Sequence, residues 1–135
     1  MRRSLEIGLS GLLAAVLGAN ALAMLFAAPW WYGAVPGVAA SGPYNAHFIE
    51  DIGAIYLVTA ATFAAFAWRP AQAAPALAAT TAFLILHAAI HLAAARHSPV
   101  CGQDLARDFP GVFLPALIGA GLIASRLNEK EPRYA

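Results

Sequence analysis

The chain opens with an apolar run, LEIGLSGLLAAVLGANALAMLF, over residues 5–26. A helix needs about 20 predominantly apolar residues to cross the roughly 30 Å hydrocarbon core of a bilayer, so this run predicts a transmembrane span. The run is longer than the roughly 7 to 15 apolar residues of a secretory signal, and we therefore expect it to stay uncleaved. Pro29, Trp30, Trp31 and Tyr32 follow it, as aromatic anchors do at a membrane interface.

Three further apolar runs have the length of a span. They cover residues 46–68, 73–95 and 111–127. Only residues 69–72 separate the second run from the third, and so short a connection predicts a helical hairpin. The sequence therefore predicts an all-α integral membrane protein, a single transmembrane domain over residues 1–135 folded as an antiparallel, up-and-down four-helix bundle.

The composition supports this class and excludes others. Of 135 residues, 61% are hydrophobic and 11% are charged, and the mean hydropathy is +0.66. Soluble domains average about 25% charged residues, so the chain belongs with membrane proteins. A formal net charge of +1 offers no basic surface for a phosphate backbone, which argues against a nucleic-acid partner. The single cysteine, Cys101, is expected to be a free thiol in a loop.

The distribution of Lys and Arg predicts the orientation. With the N-terminus inside, the cytoplasmic side carries Arg2, Arg3, Arg69, Arg126, Lys130 and Arg133, and the outer side only Arg96 and Arg107. Because cytoplasmic loops carry the excess of positive charge, both termini are predicted to be cytoplasmic.

The predicted topology places six polar residues from three helices in the outer leaflet. They are Asn20, His47, Glu50, Asp51, His87 and His91. His87 and His91 share a helix face at i, i+4, as do His47 and Asp51. Ionisable groups inside a membrane are costly and usually paired or functional, whereas the inner leaflet offers nothing comparable in this interpretation.

This convergence suggests a transition-metal site. Imidazole and carboxylate ligands suit Cu, Zn or Fe, with His47, His87 and His91 as ligands and Asp51, or Glu50, as the fourth. Asn20 and Glu50 would then orient the ligands. A b-type haem held by His47 and His91, with Arg96 near a propionate, is a less favoured interpretation.

Other interpretations stay open. The polar cluster can be a structural or proton-handling network, since Asn45 is a natural N-cap and acids favour the first helical turn. Small residues four apart on the first span (Gly11, Ala15, Ala19, Ala23) suit packing against other membrane subunits or a second copy. A proton-coupled transporter ranks last, because the inner half offers only Thr59, Thr62, Thr80 and Thr81 as a path.

The segment Gly42-Pro43-Tyr44-Asn45-Ala46-His47-Phe48-Ile49-Glu50-Asp51-Ile52-Gly53, with Tyr56, resembles a motif of uncharacterised small bacterial four-helix membrane proteins. The layout of the whole chain is similar to that of the DoxX-like group. That resemblance implies an accessory membrane subunit of an oxidoreductase system, and it assigns no catalytic residue. Together with the missing phosphate-loop and nucleophile motifs, it favours a binding or accessory protein over an enzyme acting alone.

Overall fold

The structure is a computed structural model that describes residues 2–130. The helices are α1 (Arg2–Phe26), α2 (Ala28–Ala34), α3 (Val38–Ser41), α4 (Ala46–Trp68), α5 (Pro70–Arg96), α6 (Cys101–Asp108) and α7 (Leu114–Lys130). Four helical stretches, Arg3–Phe26, Ala46–Trp68, Pro70–Arg96 and Cys101–Asn128, are long and apolar enough to cross a membrane. The predicted all-α class with four helices of spanning length is confirmed for the described residues, while the antiparallel order and the side on which the termini lie stay predictions.

The ends of α4 and α5 follow from local chemistry. The Asn45 side chain accepts a hydrogen bond of 3.1 Å from the Phe48 N–H and caps α4, as predicted. Helix α5 begins at Pro70 rather than at the predicted residue 73. Proline suits this first position because the first N–H groups of a helix have no partner within it. The helix also continues through Pro75, which removes only one backbone donor near its start.

The segment before the apolar run 111–127 is helical, which corrects the expectation that Cys101 lies in a loop. Residues Cys101–Asp108 form α6, and one turn of π-helix, Phe109–Phe113, joins it to α7. In this turn the Leu114 N–H donates to the carbonyl of Phe109, five residues back. Pro110 and Pro115 cannot donate in the usual ladder, which explains an irregular turn at this point.

Helices α1 and α4 form the most closely packed pair. Their buried side chains include Leu17 and Met24 on α1 and Phe63 and Phe66 on α4. At Gly53 the two backbones come so close that an added Cβ would lie 2.9 Å from the Met24 Cβ. A glycine at this position therefore sets how closely the two helices approach.

A second close approach joins α5 to α7. A Cβ at Gly119 would lie 2.6 Å from the Thr81 hydroxyl oxygen, and Leu84 and Leu122 are buried nearby in the same core. The small-residue positions Gly11, Ala15 and Ala19 are exposed on α1. The stripe that the sequence suggested for helix packing is therefore not used inside this bundle.

The uncharged segment over residues 27–45, which we name the cap, contains the short helices α2 and α3. The Trp31 indole N–H donates to the Asn20 side-chain oxygen at 2.8 Å, which ties α2 to α1. The Tyr32 hydroxyl donates to the Gly42 carbonyl at 2.8 Å, and its ring packs edge-on against Tyr44 at 5.4 Å. Trp31 is therefore a packing residue, whereas Trp30 and Trp68 are 64% and 77% exposed, consistent with interfacial anchors.

Candidate functional site

Two of the predicted site residues come together on α5. The rings of His87 and His91, one turn apart, have centroids 4.7 Å from each other. Tyr56 lies edge-on to His87 at 5.9 Å, and Phe83 stacks on the same ring at 5.9 Å. His87 is therefore in contact with two aromatic rings, one of them the buried Tyr56, and its polar neighbour is His91.

A carboxylate that the sequence did not single out as a site residue holds His91. The Nδ1 atom of His91 lies 2.7 Å from Oδ2 of Asp108, whose side chain is only 11% exposed. With Asp108 ionised, Nδ1 carries the proton and donates, which leaves Nε2 as the acceptor nitrogen. Asp108 reaches His91 because α6 folds against α5.

Arg107 completes the polar arrangement. Its Nε donates to Oδ1 of Asp108 and its Nη1 to Oδ1 of Asp104, each at 2.7 Å. We name the set His87, His91, Asp104, Arg107 and Asp108 the histidine network, and its end of the bundle the histidine end. With neutral histidines the two carboxylates outnumber the one guanidinium, so the network carries a net negative charge and favours a cation or a proton.

The turn before α3 reaches the histidine network through Arg107. Gly37 has φ of 88°, the left-handed region that favours glycine. A Cβ there would lie 2.7 Å from Cζ of Arg107, so the guanidinium packs directly on the glycine backbone. The cap after α1 and helix α6 are thereby joined over the histidine end.

The other predicted ligands lie elsewhere. His47 Nε2 is 3.4 Å from Asp51 Oδ2, and the two side chains are 86% and 64% exposed. Glu50 is exposed as well. Among residues 2–130, no hydrogen bond, ion pair or ring contact joins His47 to His87 or His91. Equal depth in the membrane predicts proximity only if the helices also turn the right faces to each other, and α4 turns Ile49 and Tyr56 inward instead.

The predicted four-ligand set of His47, Asp51, His87 and His91 is therefore not assembled. In the described part of the chain, no group of three or more His, Cys, Asp or Glu side chains is placed to hold a metal ion. Asn20, expected to orient a ligand, accepts from Trp31 and donates to the Met24 sulfur at 3.4 Å. The remaining candidate ligands are the two imidazoles of α5, with Asp108 behind His91.

The opposite end of the bundle holds a polar cluster that the sequence reading missed. The Glu6 carboxylate accepts a hydrogen bond from the Ser125 hydroxyl, and Nη2 of Arg126 lies 3.4 Å from its other oxygen. Glu6 is 7% exposed, and the Arg126 guanidinium lies 5.5 Å from the centre of the Phe66 ring. We name Glu6, Ser125 and Arg126 the terminal cluster, and its end of the bundle the terminal end.

A signal for the terminal cluster was present in the sequence. Glu6 is an acidic residue inside the apolar run 5–26, and Arg126 lies inside the run 111–127. An acid and a base in two spans at similar depth are expected to pair. The interpretation that only the outer leaflet holds converging polar residues is therefore wrong.

The fold and these two clusters define a class: a small helical membrane protein with four helices able to span a bilayer. Comparisons with protein-family models, with curated proteins and with solved structures found no match for the chain.

Proposed function

We propose that this chain is an accessory subunit of a bacterial inner-membrane complex and holds a transition-metal ion, Cu, Zn or Fe, at His87 and His91. The observation that carries the proposal is the 2.7 Å contact between His91 Nδ1 and Asp108 beside the adjacent His87 ring. A carboxylate behind a histidine fixes the tautomer and would leave Nε2 as the better donor to a metal. The His91 side chain is 34% exposed, so its ring is not sealed inside the core.

The remaining residues of the network would position the ligands. Arg107 holds Asp108 through its second oxygen, which restrains the carboxylate that orients His91. Two imidazoles are fewer than the four ligands of a closed structural zinc site. Water or a partner subunit would supply the other ligands, which is why we propose an accessory subunit rather than an enzyme acting alone. A bound metal of this kind supplies Lewis-acid or one-electron chemistry to such a complex.

We favour a metal ion over a b-type haem for a geometric reason. The haem interpretation needs His47 and His91 to come together at one site. His87 and His91 lie on one face of one helix, and His47 pairs with Asp51 on a different helix.

Metal analysis of the detergent-purified protein tests the proposal. After incubation with Cu²⁺, Zn²⁺ or Fe²⁺ and removal of the excess, we expect near-stoichiometric retention of one of them by mass spectrometry. His87→Ala and His91→Ala should abolish retention, and Asp108→Asn should weaken the affinity by about 10 to 100-fold while sparing the fold.

His47→Ala is the matched control, because it removes an exposed imidazole at a separate place. Its metal content should equal that of the unmodified chain. Equal loss in His47→Ala and His87→Ala, or background metal throughout, would contradict the proposal and leave the histidine network as a packing element.

A second candidate function is structural: a subunit that packs against membrane partners or a second copy without a cofactor. The exposure of Gly11, Ala15 and Ala19 on one stripe of α1 favours it. Small residues allow the close helix approach on which association in lipid depends.

Gly11→Leu tests this second function. A Cβ at Gly11 meets nothing within 4 Å, so the larger side chain leaves the bundle intact and blocks only an external partner. We expect self-association, measured by energy transfer between labelled copies in detergent, to weaken about tenfold. Ala61→Leu, at an exposed position of α4, should leave it unchanged. Equal behaviour of the two variants, or no association at all, would argue against packing between copies through α1.

A further inference from the structure

Two neighbouring cavities open at the terminal end of the bundle, away from the histidine network. One, of about 300 Å³, lies between α1 and α7, with Leu5, Leu9, Ile118 and Leu122 on its walls and Glu6 and Ser125 in its lining. The other, of about 290 Å³, is lined by Arg3, Pro70, Ala71 and Arg126. Because Ser125 and Arg126 are adjacent in the chain, the terminal cluster separates an apolar cavity from a cationic one.

The apolar cavity follows from how the helices pack. Helix α1 packs along α4, and α7 packs on α5, so α1 and α7 leave a groove where they face each other. Gly121 widens this groove, since a Cβ added to it meets nothing within 4 Å. A groove with leucine and isoleucine walls at the level of an apolar span fits a hydrocarbon chain.

The cationic cavity has a charge that selects its ligand. Arg3 and Arg126 contribute two positive charges, and Glu6, 3.4 Å from Arg126, offsets one of them. Two guanidinium groups in the lining of one cavity favour an anionic ligand such as a phosphodiester. Guanidinium groups bind phosphate oxygens through several N–H donors, and basic cavities between membrane helices bind anionic lipid head groups.

We propose that the terminal end is a binding site for one anionic phospholipid. Its phosphodiester contacts Arg3 and Arg126, and one acyl chain lies in the groove between Leu9 and Leu122. The adjacency of the cationic cavity and the apolar groove, joined at the Ser125–Arg126 step, specifies a lipid rather than free phosphate. The site is separate from the proposed metal site and does not depend on it.

Native mass spectrometry of the full chain in mild detergent tests the proposal. The probes are dioleoyl phosphatidylglycerol and dioleoyl phosphatidylcholine, which have the same acyl chains and differ in net charge. We expect the phosphatidylglycerol adduct to be retained at least fivefold more, because a basic side chain near a lipid surface is worth roughly that factor. A tenfold excess of inorganic phosphate should not displace the lipid.

Two variants separate the head-group contact from the acyl contact. Arg3→Gln should lower phosphatidylglycerol retention about fivefold, whereas Arg96→Gln, an exposed arginine at the far end of α5, should not. Gly121→Leu should lower retention of both lipids by filling the groove, whereas Gly8→Leu, at an exposed position with open space, should not.

Three results would overturn the proposal. They are equal retention of the two lipids, equal effects of Arg3→Gln and Arg96→Gln, and displacement by inorganic phosphate alone. Because metal content is a separate measurement on residues at the histidine end, failure of one proposal leaves the other intact.

Discussion

Replacing Arg126 by methionine should lower the free energy of unfolding by about 3 kcal/mol. The guanidinium lies 3.4 Å from the Glu6 carboxylate, and the two side chains are only 19% and 9% exposed. Removing one member of a buried ion pair costs more than the pair itself contributes, because the other charge loses its guanidinium partner at a buried position. Methionine keeps the apolar stem that packs toward Phe66, so the decrease in the free energy of unfolding measures the loss of the positive charge.

The measurement is unfolding of the detergent-solubilised chain by sodium dodecyl sulfate, followed by circular dichroism. Arg96→Met is the matched control, because the same change at an exposed position should stay within about 0.5 kcal/mol. Similar unfolding of the two variants would show that the terminal cluster does not contribute to stability.

A double variant separates charge from packing. Adding Glu6→Gln to Arg126→Met neutralises the remaining carboxylate and keeps an acceptor for the Ser125 hydroxyl. We expect the double variant to recover at least about 1 kcal/mol relative to Arg126→Met alone, a positive coupling between residues in contact. Additive losses would mean that the two side chains do not interact.

The fold was predictable because membrane insertion depends on local composition. The run 46–68 matches α4 at both ends, since Asn45 caps its start and Pro70 follows its end. The prediction failed where helices form without a long apolar run. Helix α6 is short and polar, and its contacts with the rest of the protein include that of Asp108 with His91 and that of Arg107 with Gly37, tertiary interactions that no local pattern contains.

The depth of the candidate site residues in the membrane was predictable from the sequence. The rotation of each helix about its own axis, which decides the side chains that meet, was not. His87 and His91 are one turn apart on one helix, so their proximity follows from helical spacing alone. Whether His47 joins them depends on which face of α4 meets α5, and this is decided by packing at Tyr56 and Phe63. The same limit applies to the contacts of Glu6 with Ser125 and Arg126, which lie more than a hundred residues away in the sequence.

The segment 42–53 has a different role in the structure from the one that its polar residues suggested. Asn45 caps α4, Tyr44 packs on Tyr32, and Ile49 is buried. By contrast, His47 and Asp51 pair with each other on an exposed surface. Tyr44, Asn45 and Ile49 therefore join the cap to the bundle. Gly53, the last residue of the segment, lies against α1.

Gly53→Leu should destabilise the bundle by about 3 kcal/mol. A Cβ at this position would lie 2.9 Å from the Met24 Cβ, 3.2 Å from the Leu25 Cγ and 3.4 Å from the Ala21 carbonyl oxygen. The Ala21 oxygen belongs to the backbone and the Met24 Cβ is bonded to it, so neither atom can move aside by a rotamer change. The clash is relieved only if α1 and α4 separate, which loosens the most closely packed helix pair. The readout is again unfolding by sodium dodecyl sulfate.

Gly8→Leu is the control for this change, because it replaces a glycine on α1 with open space around it and should be neutral or slightly stabilising through helix propensity. Met24→Ala added to Gly53→Leu removes side-chain volume beside the new leucine, and we expect it to recover part of the loss although Met24→Ala alone is destabilising. If Gly53→Leu unfolds like Gly8→Leu, α1 and α4 are not in the close contact described here. If the double variant is worse than either single change, the strain at Gly53 lies in the Ala21 backbone rather than in the Met24 side chain.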